Sequence, residues 1–187
     1  MRYYYDTEFL EDGVTIELIS IGIIADDGRE YYAVSDEMPW VRIVQHEWLM
    51  QNVVPSLPLK PRWDVPLLDF EDPSVKSRQD IRREIMTFFL AGNEPVELWA
   101  WYGAYDHVCL AQLFGQMINM PRSLPHWTND LRQDCERLGV YTELPVQDSG
   151  EHNALEDARW NKAVGDFLRR YEQMRDVAEW DDDVAQR

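Results

Sequence analysis

The sequence predicts a single α/β domain in which a mixed central sheet carries helices on both faces. Short β-type segments separated by turn residues occupy residues 2–6, 17–24 and 30–34. Further on, a strand-like segment over residues 96–101 alternates with helical patterns. Hairpins followed by strand and helix alternation are typical of a mixed sheet with helices packed on it. The 187 residues suffice for one domain and are too few for two ordinary ones.

The individual elements follow in chain order. Residues 17–24 are almost continuously apolar and β-branched, as expected of a strand covered on both faces. A helical pattern over residues 41–54 ends at a series of prolines, and we interpret residues 55–75 as an irregular surface excursion. A second helix begins at Ser77, a favourable N-cap residue. Later helices are predicted over residues 106–114, 129–138 and 153–171.

The domain is predicted to span residues 1–172, and residues 173–187 to form an acidic C-terminal tail. The chain has no apolar run of about 18 residues that could cross a membrane, and its start is not of signal-peptide type. We therefore predict a cytoplasmic protein with no membrane partner. Cys109 and Cys135, the only two cysteines, are expected to be small core residues.

The overall charge restricts the partners that the protein can bind. The chain has 18 Lys and Arg against 35 Asp and Glu, a net charge of −17. This balance is the opposite of the basic surface of a typical nucleic-acid binder, and it argues against long duplexes. A short single strand is still compatible with it, provided that bound divalent cations neutralise the site locally.

Four carboxylates and one histidine stand out as candidates for chemistry. Asp6 and Glu8 end the first strand, where residues two apart point to the same side. Two neighbouring carboxylates repel each other, so the pair needs a cation or solvent. Asp106 and Asp157 each lie near the start of a helix, where a carboxylate also stabilises the helix dipole. His152 precedes Asp157 by five residues, which five helical steps would place about 140° apart, so His152 must lie on the loop before the helix.

Each of these residues alone has an ordinary structural explanation, but the set resembles the three motifs of the DEDDh superfamily of 3′-5′ exonucleases. The motifs are DTEF at residues 6–9, AYD at 104–106 and HNALED at 152–157. Longer segments resemble the actinobacterial polyadenylate-specific 3′-exoribonuclease family, RNase AS. These segments are residues 4–9, 17–22, 30–35 and 97–108. The YGAY sequence at residues 102–105 replaces the Asn-containing segment of common DEDDh enzymes, and the closer family shares this difference.

The resemblance implies a ribonuclease H-like fold and a two-metal-ion 3′-5′ exoribonuclease. Its substrate would be single-stranded RNA with adenylate-rich 3′ ends, and its products nucleoside 5′-monophosphates. Asp6 would bridge two Mg²⁺ or Mn²⁺ ions. Glu8 and Asp157 would hold the ion that binds the attacking water, and Asp106 the ion near the leaving oxygen. His152 would take the proton from the water.

The resemblance also suggests substrate contacts and a quaternary state. Thr7 and Phe9 flank the acid pair and would hold the terminal nucleotide, and Trp101 and Tyr105 are further aromatic candidates for stacking. Each of these aromatic residues could equally be core. A homodimer is implied by the resemblance. Three alternatives stay open at this point: clearance of short oligoribonucleotides, a catalytically silent RNA-binding module, and DNA as substrate.

Overall fold

The computed structural model describes residues 1–60 and 66–185. Within this part of the chain, six strands form one sheet and two more form a small hairpin. The strands of the sheet are β1 (Arg2–Glu11), β2 (Ile16–Ala25), β3 (Glu30–Ser35), β6 (Val75–Lys76), β7 (Glu97–Ala100) and β8 (Asn129–Asp130), and those of the hairpin are β4 (Leu59–Lys60) and β5 (Leu67–Leu68).

The sheet is mixed. Its strand order is β6-β3-β2-β1-β7-β8. The long strands β1, β2 and β3 form an antiparallel meander, whereas β1 pairs with β7, and β7 with β8, in parallel. The three strands predicted at the start of the chain and the strand predicted over residues 96–101 are confirmed. The short strand β8 was not predicted, because two residues carry no detectable periodicity.

The helices lie between and after these strands. They are α1 (Trp40–Ile43), α2 (Glu47–Asn52), α3 (Arg78–Leu90), α4 (Ala104–Gln112), α5 (Leu131–Leu138) and α6 (Ala154–Ala185). The predicted cap of α3 is confirmed, because the Ser77 hydroxyl accepts a hydrogen bond from the N–H of Asp80 at 3.1 Å. Helix α5 ends as predicted at Gly139, which adopts the left-handed conformation with φ of 72°.

Alternate side chains of β1 enter separate cores on the two faces of the sheet. Tyr3 and Tyr5 pack with α3 and α4 on one face, and Tyr4 packs with α5 and α6 on the other. All three side chains are fully buried. This alternation places helices on both sides of the sheet. The predicted α/β fold class, a mixed central sheet with helices on both faces, is confirmed.

The prediction of one continuous helix over residues 41–54 is wrong. The chain forms α1 and α2 instead, with a break before His46. The ring of His46 accepts a hydrogen bond from the N–H of Leu49 at 3.3 Å and so starts a new helix. A histidine cap of this kind has no clear sequence signal, since Ser, Thr, Asp and Asn are the usual caps.

The predicted surface excursion at residues 55–75 is partly a core element. Leu57 and Leu68 are buried in a cluster with residues of α2 and β3. The hairpin of β4 and β5 holds them there. The frequent prolines of this stretch leave no segment long enough to show a helical or strand-like hydrophobic periodicity. The buried leucines could therefore not be recognised from the sequence. Residues 61–65 of the excursion lie outside the described residues.

The last helix is longer than the sequence pattern indicated. Helix α6 continues past Tyr171, its predicted end, to Ala185. Residues 172–185 contain neither glycine nor proline, so nothing stops the helix once its apolar stripe has ended. The last two residues of the predicted tail lie outside the described part of the chain. A domain of residues 1–172 with an acidic tail stays a proposal.

Two expectations drawn from composition can be compared with the fold. Cys109 and Cys135 are free thiols that lie buried in the cores on either face of the sheet, as predicted. Among the helices of the described residues, none combines the length and the apolar character that a membrane crossing requires.

Candidate active site

The first acid pair lies where β1 meets the start of α6. Asp6 pairs in register with Gly22 of β2, so both residues face the same side of the sheet. A Cβ atom on Gly22 would come within 2.3 Å of the Ala154 carbonyl oxygen. Only glycine therefore lets the N-terminus of α6 lie directly on the sheet beside Asp6.

Asp157 is held in the first turn of α6 by two donors. The backbone N–H of His152 donates to its Oδ2 at 2.9 Å, and the side-chain amide of Gln147 donates to its Oδ1 at 2.6 Å. These bonds leave Asp157 with a fixed orientation, and they connect it to the loop that precedes the helix.

His152 has a constrained backbone. Its φ of 64° lies in the left-handed region, which is unusual for a non-glycine residue. Its carbonyl oxygen accepts a hydrogen bond from the Ser56 hydroxyl at 2.9 Å, while its N–H is bound to Asp157. Its ring meets the edge of Trp48, with 4.8 Å between the ring centroids. The backbone of His152 is thus fixed from both sides.

Asp106, on α4, reaches the middle of β1. Its Oδ1 accepts hydrogen bonds from both the backbone N–H and the hydroxyl of Thr7, at 2.8 and 2.7 Å. Both residues are buried. Thr7 therefore orients Asp106 through its two donors. A contact between Thr7 and the terminal nucleotide stays a prediction.

The five predicted residues are thus brought together around the middle of β1. The prediction that Asp6 and Glu8 end the first strand is wrong, because β1 continues to Glu11. Ligand atoms of Glu8, His152 and Asp157 lie within 4.8 Å of one another. The negative charges of Asp106, Glu8 and Asp157 all act on Asp6. Four carboxylates and an imidazole from three separate parts of the chain therefore share one small region.

Crowding of these carboxylates opposes their ionisation. Burial, together with the neighbouring charges, raises the pKa of Asp6 well above its usual range and that of Glu8 to about 8. Burial also raises the pKa of Asp106 to about 7, against the effect of the bonds from Thr7. The pKa of Asp157 is raised by burial as well. A group of hard oxygen donors that resist holding their charges alone fits divalent cations such as Mg²⁺.

The predicted aromatic residues lie on both sides of the carboxylates. Phe9 and Tyr105 stack in parallel, with 5.9 Å between ring centroids and an angle of 5°. Trp101 meets Trp160 edge to face at 5.0 Å. Trp101 and Trp160 also line a cavity of about 410 Å³ that reaches Asp6 and other site residues. Tyr105 is half exposed, which makes its ring accessible to a ligand.

Several residues that build the site were not predicted. They are Gly22, Ser56, Gln147 and Asn161. Asn161 is buried, and its amide donates to the Tyr5 carbonyl oxygen at 2.9 Å, directly before Asp6. The sequence signal that could have identified Asn161 is its position on the apolar face of α6. A buried amide needs a specific hydrogen-bond partner, so a polar residue on that face indicates a defined contact.

The comparisons with known proteins bear on this geometry. The sequence model of the 3′-5′ exoribonuclease Rv2179c-like domain matches residues 68–168. Two curated relatives are named 3′-5′ exoribonuclease MT2234.1 and 3′-5′ exoribonuclease Rv2179c, from two strains of Mycobacterium tuberculosis. Each is 45% identical over 174 residues, which cover 91% of this chain and 91% of the relative. The chain belongs to the Rv2179c-like 3′-5′ exoribonuclease family.

Membership of the Rv2179c-like family confirms the predicted enzyme class, a hydrolytic 3′-5′ exoribonuclease. The family match includes Asp106, His152 and Asp157. The chain is also similar to a solved structure of Pop2p from S. pombe in its Mg²⁺- and Mn²⁺-bound form. That similarity has a TM-score of 0.45 and 14% identity, and it covers 90% of this chain and 81% of the other.

Proposed function

We propose that this chain is a two-metal-ion exoribonuclease of the DEDDh type, similar to RNase AS. It would trim adenylate-rich single-stranded RNA from the 3′ end to nucleoside 5′-monophosphates. The observation that carries this proposal is the convergence of four carboxylates and His152 at the middle of β1. The carboxylates are those of Asp6, Glu8, Asp106 and Asp157.

These four carboxylates would hold two Mg²⁺ ions, for which Mn²⁺ could substitute. Their oxygen donors suit hard divalent cations. Burial and, after it, the neighbouring negative charges raise their pKa values, and bound cations would offset both effects. When bound, two such ions supply charge stabilisation for the attacking and leaving oxygens of an in-line phosphoryl displacement.

His152 would act as the general base. It would take a proton from the water that attacks the terminal phosphodiester, a task suited to imidazole near neutral pH. A bond would form between the water oxygen and phosphorus, and the bond from phosphorus to the 3′ oxygen of the preceding nucleotide would break. That oxygen would then be protonated. The hydrogen bonds from Ser56 and to Asp157 would keep His152 in place.

Aromatic stacking would supply much of the substrate affinity. Stacking contributes about 1–3 kcal/mol per base and requires no large positive field. This mode of binding suits a chain with a net charge of −17. Phe9 and Tyr105 lie beside the carboxylates, and Trp101 lines the neighbouring cavity.

A second candidate within the same class is the clearance of short oligoribonucleotides. The net charge favours it, because a short substrate brings few phosphates close to an acidic surface. The named activity of the family argues against a silent RNA-binding module, and binding alone would not require four crowded carboxylates. The cytoplasm is the proposed location for either activity.

We also propose a homodimer, as the resemblance to RNase AS implies. Met117, Ile118 and Trp127 are large apolar residues that the described chain leaves more than half exposed. Exposed apolar surface of this kind is common at protein interfaces. Light scattering should give twice the chain mass of 22.2 kDa, and a monomer would contradict this part of the proposal.

Digestion of 5′-labelled homo-oligoribonucleotides tests the function directly. Oligo-A, -U, -C and -G, with an oligo-dA control, are incubated with Mg²⁺ or EDTA. The proteins are the wild type, Asp6→Asn and the matched surface variant Glu136→Gln. We expect a ladder that shortens from the 3′ end, fastest for oligo-A, only with Mg²⁺ and only with Asp6 intact. Equal rates would refute the adenylate preference, and no shortening under any metal condition would refute the catalytic proposal.

A further inference from the structure

His152 has an unusual backbone for a residue that would move a proton. Its φ of 64° lies in the left-handed region, where an ordinary side chain stays only when its surroundings enforce it. Its N–H donates to Asp157 at 2.9 Å, and its carbonyl oxygen accepts from the Ser56 hydroxyl at 2.9 Å. The same hydroxyl lies 2.8 Å from the carbonyl oxygen of Val53, so it joins the loop to the end of α2. These contacts fix the main chain of His152 but not the direction of its imidazole.

The imidazole is restrained by a helix that supplies none of the four carboxylates. The ring of Trp48, on α2, lies at an angle of 74° to the imidazole, with 4.8 Å between the ring centroids. These values are typical of an edge-to-face aromatic contact. Within the described residues the imidazole makes no hydrogen bond. The contact with Trp48 therefore restrains its rotation.

We propose that Trp48 is a positioning residue for His152. Its ring holds the imidazole in the direction from which it reaches the water that attacks the terminal phosphodiester. The inference rests on the proposed exoribonuclease function and adds a residue of α2 to the groups on which the rate depends. Trp48 acts through His152 and does not itself touch the reacting atoms.

The restrained imidazole lies beside the carboxylates. One of its nitrogen atoms is within 4.8 Å of carboxylate oxygens of both Glu8 and Asp157. A displacement of about 1 Å in a positioned group can lower a reaction rate by about a hundredfold. A contact that prevents rotation of the imidazole at this place is therefore important for the rate.

Helix α2 holds Trp48 firmly enough for this role. Leu49, the next residue, is buried in the core that contains residues of β3 and α1. The ring of His46 caps the start of the helix, and the side-chain amide of Asn52 donates to the Trp48 carbonyl oxygen at 2.8 Å. The chain segment that fixes the backbone of His152 thus also carries the residue that contacts its ring.

Two other roles of Trp48 lead to different predictions. Its side chain is about half exposed, so a contribution to stability alone is small. Together with Glu8 and Phe9 it lines a cavity of about 250 Å³, which gives its exposed face access to bound RNA. A direct contact with RNA changes the affinity for RNA, whereas positioning of His152 changes the rate of the chemical step.

The test measures single-turnover hydrolysis of a short oligoadenylate with saturating Mg²⁺. Trp48→Leu keeps an apolar side chain and removes the aromatic ring. We expect the rate at saturating RNA to fall by about tenfold to a hundredfold, and the RNA concentration for half-maximal rate to change by less than about threefold. Trp48→Phe retains a ring and should restore most of the rate. Phe70→Leu, on the exposed loop between β5 and β6, is the matched control and should keep the wild-type rate.

A second comparison shows whether Trp48 acts through His152. In His152→Asn the general base is lost, while asparagine tolerates the left-handed backbone. Adding Trp48→Leu to this variant should change the remaining rate by less than about twofold, because the imidazole that Trp48 holds is absent. If the double variant loses about a further tenfold, Trp48 acts on the RNA or on the fold, and the proposal is refuted.

The direction of the imidazole can also be measured without RNA hydrolysis. Nuclear magnetic resonance is recorded with Mg²⁺ on protein labelled at its histidines, and the His152 signals are assigned by their absence from His152→Asn. The wild type and Trp48→Phe should show one narrow set of ring signals for His152. In Trp48→Leu we expect these signals to broaden or split, and an equally narrow set would refute the positioning.

The outcomes separate this inference from the proposed function. If the wild type hydrolyses RNA and Trp48→Leu is as fast as Phe70→Leu, the positioning by Trp48 is refuted while the exonuclease proposal stands. If the wild type hydrolyses no oligomer under any metal condition, the proposed function fails and the inference fails with it.

Discussion

Asp6 lies among three other carboxylates, so removal of its charge should affect stability and activity in opposite directions. In the metal-free protein, Asp6→Asn replaces a buried carboxyl group by a neutral amide and so removes the cost of ionising it among the other carboxylates. We expect a rise in melting temperature of a few degrees, measured in EDTA at about pH 9. The same variant should lose RNA hydrolysis and most of the stabilisation that Mg²⁺ gives the wild type. A lower melting temperature in EDTA would contradict the crowding of the four charges.

The raised pKa values of these carboxylates also predict how the stability of the metal-free protein depends on pH. A carboxyl group whose pKa is higher in the folded state stabilises the fold while it is protonated, and this contribution is lost as the pH rises through the folded value. For Asp106 and Glu8 these values are about 7 and about 8. The free energy of unfolding in EDTA should therefore decrease from the ordinary carboxyl pKa values of 3.8 and 4.5 up to about pH 8 and level off above it, and saturating Mg²⁺ should weaken this decrease. Denaturant titrations across this range provide the measurement.

The sequence predicts the reactive residues of this site better than it predicts their partners. The carboxylates were recognisable because each matches a motif residue at a characteristic place in the chain. Gly22 and Gln147 were not recognised as parts of the site, because their roles depend on contacts with Ala154 and Asp157 of α6 that only the tertiary structure creates.

Gly22 controls how closely α6 approaches the sheet. A methyl group in Gly22→Ala would meet the Ala154 carbonyl oxygen at 2.3 Å and push the start of the helix outwards. We expect a loss of about 1–3 kcal/mol in stability. The displaced Asp157 and His152 should also lower the rate of RNA hydrolysis by at least about tenfold.

A glycine in a turn provides the control for this experiment. Gly28 has a φ of 86°, and a Cβ atom there would meet nothing within 4 Å. Gly28→Asn is expected to keep full activity, because asparagine tolerates the left-handed region. If Gly22→Ala were as active as this control, the close approach of α6 would not be essential to the site.

At the level of whole elements, the prediction succeeded where a periodic pattern was long and failed where local hydrogen bonds decided the structure. Strands β1 and β2 and helix α3 carry continuous patterns, and they were found. The break before α2 depends on one side-chain cap at His46. The extension of α6 depends on helix-forming residues without an apolar stripe, which hydrophobic periodicity cannot detect.

The acidic end of α6 should be dispensable for the fold. A chain that stops after Glu172 keeps the ion pair of that residue with Arg137, at 3.0 Å. We expect unchanged RNA hydrolysis and a melting temperature within about 3 °C of the wild type, because surface changes of this kind usually cost little. Circular dichroism should show a lower helix content. Loss of the folded state would contradict the proposed boundary at residue 172.

The net charge of −17 predicts that salt increases the rate at which the protein hydrolyses RNA. Repulsion between protein and RNA is screened over about 10 Å at 0.1 M salt. At fixed saturating Mg²⁺, kcat/KM should therefore rise between 10 and 100 mM KCl. A basic nucleic-acid binder shows a steep decrease instead. Such a decrease here would mean that direct phosphate contacts, and not stacking, dominate binding.

The number of divalent ions that the chain binds tests the central claim most directly. Mn²⁺ is titrated into the protein with a nucleoside 5′-monophosphate present and followed by electron paramagnetic resonance, for the wild type, Asp6→Asn and Glu136→Gln. We expect two ions per chain with magnetic coupling between them in the wild type and in Glu136→Gln, and loss of the coupling in Asp6→Asn. A wild type that binds one uncoupled ion, or none, would contradict a two-metal site built from Asp6, Glu8, Asp106 and Asp157.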